Sequence, residues 1–155
     1  MPNEIEQRYN ELKKKHALPD FAAVDKEFEI SAIEKPVFLL KAIRDRIGER
    51  IHDVSHVLEP WVQPDVNAFT TIFEYRSLSE SERKEAFTQF KKLMALRRAC
   101  LDAEFAVDDA QDAALISRAM NEWPAIRQAL RPIVQKIMAA WPKPAERQDV
   151  VGYFG

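Results

Sequence analysis

The stretch "PVFLLKAIRDRIGERIHDVSHVL", Pro36 to Leu58, decides the fold. Leu40, Ile43, Ile47, Ile51, Val54 and Leu58 recur every three or four residues, which places six apolar side chains along one ridge of a helix. Pro36 suits a first helical turn, where its missing N–H costs nothing. Pro60 disfavours helix at the residue before it, so the spacing predicts an end near Leu58.

Working outward towards the N-terminus, "ALPD" (Ala17–Asp20) separates two shorter helices. Asn3 is placed to cap the first, with Glu6 in a capping-box position and a stripe of Ile5, Tyr9 and Leu12 that ends at His16. Asp20 is placed to cap the second, over about Phe21 to Ile30, with Phe21, Val24 and Phe28 on one side. On the C-terminal side, "EPWVQPD" (Glu59–Asp65) is a connector. Val66, Phe69, Ile72 and Phe73 then mark a helix. Ser79 and Glu82 form a second capping box and open a long helix, with Phe87, Phe90, Leu93, Met94, Leu101 and Phe105 expected inward. "VDDAQD" supplies acids suited to the start of another helix. Trp123, Ile126, Leu130, Val134, Ile137 and Trp141 form its last stripe, with a break expected near Trp123 and a kink near Pro132.

Composition agrees with this reading. Three glycines in 155 residues suit helices better than strands joined by tight turns. The expected fold is all-α: an irregular bundle of six or seven helices, two of them long. Residues 1–141 are expected as a single helical domain and 142–155 as an extended C-terminal tail. A net charge of −2 gives no general attraction to nucleic acid or an anionic membrane. No apolar run approaches the roughly 20 residues that span a bilayer, and the N-terminus has no apolar core of a secretion signal. A lone cysteine, Cys100, excludes an internal disulfide and reads as a small half-buried hydrophobe. The expected location is the cytoplasm.

Chemistry is sparse. Glu49, His52 and His56 share a ridge with metal-ligand spacing, but on the helix wheel that ridge lies opposite the stripe of Leu40, Ile47 and Leu58. The expectation is a solvated face, with metal binding as the sharper alternative. His16, at a helix C-terminus, reads as a half-buried histidine favoured by the dipole. Arg44, Arg76, Arg97 and Glu104 fall on or near inward faces, where an unpaired charge costs several kcal/mol. They are expected in an ion-pair network, or alternatively lining a pocket for a small anionic ligand. Lys84, Lys91 and Arg98 recur every seven residues as a basic ridge that can lie along phosphates, although acids crowd it. The terminal Val150, Val151, Tyr153 and Phe154 are expected to dock on the chain's own core or on a second copy.

These readings favour a small helical protein that binds another protein, or itself as a homodimer, without catalysis, cofactor or membrane. A ligand- or metal-binding helical domain is the alternative, and RNA or ribosome association a third.

Overall fold

The computed structural model describes residues 3–35 and 37–144. Pro36 and the four apolar tail residues Val150, Val151, Tyr153 and Phe154 lie outside the described residues. The elements are α1 (Glu4–Lys15), α2 (Phe21–Phe28), a 3₁₀ turn (Ile30–Ala32), α3 (Leu39–Val62), α4 (Phe69–Ser77), α5 (Glu80–Ala106) and α6 (Asp109–Ala140). The described residues contain no strand, and the fold is all-α.

Two compact units are formed. One draws its described residues from Met1–Asp53 and Met94–Ala125, the other from Val54–Leu93 and Ile126–Gly155. The divisions at Asp53, Leu93 and Ala125 each fall inside an uninterrupted helix.

In the first unit, α1 begins where Asn3 Oδ1 accepts the Glu6 amide at 2.8 Å. Its stripe of Ile5, Tyr9 and Leu12 is buried. The Tyr9 hydroxyl donates to the Pro19 carbonyl at 2.6 Å, fixing α1 to the turn before α2, and burial pushes its pKa well above the ordinary value. Asp20 stands at the N-cap of α2 but its side chain makes no cap hydrogen bond. Its carboxylate is bound by Lys13 instead, which holds its pKa down. Phe28 and Trp123 pack with ring centroids 6.4 Å apart, and Trp123 Nε1 donates to Glu27 at 3.0 Å, tying α2 to α6. Leu40, Ile43, Ile47 and Ile51 are buried as the ridge predicts. Beside them, Gly48 faces α5: a Cβ at that position would meet Cys100 Sγ at 3.9 Å, an ordinary van der Waals contact.

In the second unit, α3 runs through Pro60 to Val62, past the end expected at Leu58. A proline in the last turn removes only one helical bond. Beyond it, Trp61 is buried and donates its Nε1 to Glu74 at 3.3 Å, which offsets that loss. Val66 lies in the turn before α4 and is exposed, so it does not belong to the helix stripe. The Ser79–Glu82 capping box is reciprocal: Ser79 N donates to Glu82 Oε1 at 2.8 Å, and Glu82 N to Ser79 Oγ at 3.1 Å.

The inward face of α5 differs in part from expectation: Leu93 is buried as expected and Phe90 and Met94 are half-buried, but the stripe as a whole is not the expected one. Ala86, Gln89, Leu93, Leu96 and Ala103 are buried and Cys100 is half-buried, a run spaced by threes and fours. Phe87, Leu101 and Phe105 are exposed. The true stripe is turned by roughly 100°, about one residue's advance along a helix, from the one the phenylalanines marked. Small side chains, Ala86, Cys100 and Ala103, take half of these inward positions, and Cys100 lies against Gly48 of α3. Helix α6 likewise is unbroken at Trp123 and continues through Pro124 and Pro132 over 32 residues. Ile116, Ala119, Trp123, Ile126, Leu130, Ile133 and Ile137 are buried at alternating spacings of three and four, and that burial outweighs the bonds the prolines forgo. Val134 and Trp141, expected inward, form with Met138 a separate exposed ridge.

Candidate interaction surface

Among the described residues, three that are not glycine adopt positive φ: Glu29, Phe38 and Val107. Two of these are apolar, and both belong to the first unit. Phe38, at φ 57°, starts α3: its carbonyl accepts the Ala42 amide at 3.0 Å. Val107, at φ 51°, follows the last residue of α5 in the position glycine usually takes. Asp108 then opens α6, its Oδ1 accepting the Ala110 amide at 3.0 Å and its carbonyl the Gln111 and Asp112 amides at 3.1 Å. Asp108 of "VDDAQD" thus serves the helix start as expected, whereas Asp112 turns inward.

A left-handed backbone costs an L-residue roughly 1–2 kcal/mol, and a β-branched residue is a rare occupant. Burial does not offset that cost here. Phe38 is 77% exposed and Val107 86%, with Val37 at 69% and Phe105 at 76% beside them in sequence. Large apolar side chains held in water by strained backbone call for a functional explanation.

Val37 and Phe38 line a recess of about 640 Å³ whose floor includes Leu12, Leu39 and Leu40. Glu4, Arg8 and Glu11 of α1 and Asp109 of α6 complete its charged rim. Arg8 is bound by Glu11 at 3.1 Å, so three carboxylates stand against one guanidinium already paired. Val107 precedes Asp109 by two residues, which ties the left-handed turn to the rim. The arrangement offers an apolar floor inside a negative border.

The residues singled out in the sequence are placed as follows. Glu49, His52 and His56 are exposed on α3, on the face expected, and no group of three or more His, Cys, Asp or Glu among the described residues is placed to hold a metal ion. His16 is half-buried at the end of α1. Arg44 is inward: its side chain is 4% exposed and that of Asp112 5%, and Nη1 donates to Asp112 at 2.8 Å. A longer contact from the same nitrogen reaches the Ala103 carbonyl at 3.4 Å. Arg44, Arg97 and Glu104 share a smaller recess of about 340 Å³ with Asp45, Glu49 and Arg98. Three arginines meet three carboxylates there, so the recess presents no net charge to an anion. Glu104 is exposed, which corrects its inward assignment, and Arg97 is half-buried with Nη1 3.7 Å from Met94 Sδ. Arg76 is exposed on α4 in the other unit, contrary to its expected inward face. Burial pushes the Cys100 thiol up despite nearby Arg44, so it stays protonated. Lys84 and Lys91 are exposed, Lys84 paired with Glu80 at 3.4 Å and Lys91 Nζ 5.7 Å from the Phe87 ring. Arg98 is exposed in the first unit.

Sequence reasoning missed Val37, Phe38 and Val107. Two signals mark them: an apolar pair placed directly after Pro36 and before the ridge begins, and a helix-to-helix junction, "FAVDDA", with no glycine to close it. No helix among the described residues is long and apolar enough to cross a membrane. Comparison with protein-family models, curated proteins and solved structures finds no match to the chain.

Proposed function

We propose that this protein works by binding another protein, and that the first unit receives an apolar, basic segment of its partner at the recess bordered by Phe38 and Asp109. The observation that supports this most is the pair of exposed apolar residues, Phe38 and Val107, held in left-handed backbone. The rim selects the partner's chemistry. Glu4, Glu11 and Asp109 against a single paired arginine favour a cationic segment, and opposite charge on the partner speeds encounter and fixes register.

Val107→Gly separates binding from folding. Glycine relieves the left-handed strain at the cost of a more flexible unfolded chain, for a net gain of about 1 kcal/mol in stability. The same change removes a side chain from the surface. Synthetic apolar peptides made in basic, neutral and acidic versions are the probes. We expect the basic version to bind about ten-fold tighter than the acidic one, less so at high salt, and to lose affinity to Val107→Gly and Phe38→Ala. Equal binding of all versions, unaffected by either substitution, would count against the reading.

A further inference from the structure

Helix α4 has no fully buried residue, although Phe69, Ile72, Phe73 and Tyr75 make up nearly half of it. The chain leaves α6 directly against this helix. Trp141 lies just past Ala140 with its ring 4.3 Å from that of Phe73, and its Nε1 donates to Glu74 Oε2 at 2.9 Å. Glu74 Oε1 accepts Trp61 Nε1 at 3.3 Å, so one carboxylate pins both indoles to α4. Val134, Met138 and Trp141, spaced by four and three, form an exposed apolar ridge leading to the same point.

From these observations we infer that the chain's own segment Val150–Phe154 folds back over α4 and the Val134–Met138 ridge. Its reach is sufficient. Val150 is six residues past Pro144, and an extended chain covers about 20 Å in that length. Trp141 back to Val134 is seven helical residues, about 10 Å. The segment matches the surface chemically, with two valines and two aromatic rings among five residues. Its own chain also outcompetes a second copy, because a short linker holds it at an effective concentration of the order of millimolar.

Hydrogen exchange of the full chain tests this, compared with a chain stopped after Asp149 and with a full-length Tyr153→Ser/Phe154→Ser variant that keeps the linker. Both changes should speed amide exchange in residues 69–77 about ten-fold while leaving α1 unchanged, at every protein concentration. Unaltered exchange in α4 would overturn the inference. An effect that grows with protein concentration, or a dimer by light scattering that either change dissociates, would overturn it in favour of a second copy as the occupant.

Discussion

Arg44 and Asp112 are removed from water together, and the energetics of that pair set what each can do alone. Burial raises the Asp112 pKa even with Arg44 beside it, which means that desolvation of the carboxylate outweighs the attraction. A carboxyl whose folded pKa lies above its unfolded one contributes most while protonated, and that contribution is lost as pH rises through the folded value. The same pairing raises the Arg44 pKa, so the cation gains what the carboxylate loses to desolvation, and the pair is costly to break from either side. Arg44→Met should destabilise by about 3–5 kcal/mol, because Asp112 is left buried and unpaired, whereas Arg44→Met with Asp112→Leu should recover most of the loss. Urea denaturation of both variants checks this, and a single substitution costing under about 1 kcal/mol would show that the pair is not desolvated. The sequence made Arg44 visible as a charge on an apolar ridge. It did not identify Asp112, which is one of several acids at a helix start and differs from its neighbours only in falling on the buried face of α6.

At the scale of elements, the capping box of α5 carries a pH dependence of the opposite sign. Lys136 donates to Glu82 at 2.8 Å, and with the Ser79 amide it lowers the Glu82 pKa to about 2. A depressed carboxylate contributes above its unfolded pKa, and the contribution is lost as pH falls through the folded value. Glu82→Ala should thus lower stability at neutral pH by about 1 kcal/mol, as loss of a cap does. The deficit should shrink between the ordinary glutamate value near 4.5 and about pH 2, and thermal melts across that range follow it. This box was legible because its chemistry is local, between residues three apart. The face of α5 was not. Large aromatic residues dominate a hydrophobicity count, but which face of α5 turns inward is decided by the helices it packs against, a tertiary fact. The prolines of α6 misled for the same reason, since burial of Trp123, Ile126, Leu130 and Ile133 around them exceeds the local cost.

At the scale of the molecule, helix class and most of the α3 ridge followed from periodicity alone, whereas the surface that carries the functional reading did not. A left-handed Val107 has no periodic signature, and the α1 carboxylates join Asp109 only once the first unit has folded. The proposed partner site is the end of this unit that bears Phe38. Site-specific photo-crosslinking in the native host measures it directly, with a benzophenone amino acid placed at position 38 and, as reference, at exposed position 52 on α3. A partner at this recess should give one discrete, high-yield adduct from position 38, lost in the Val107→Gly background, and none from position 52. An adduct from position 52 with none from position 38 would contradict it.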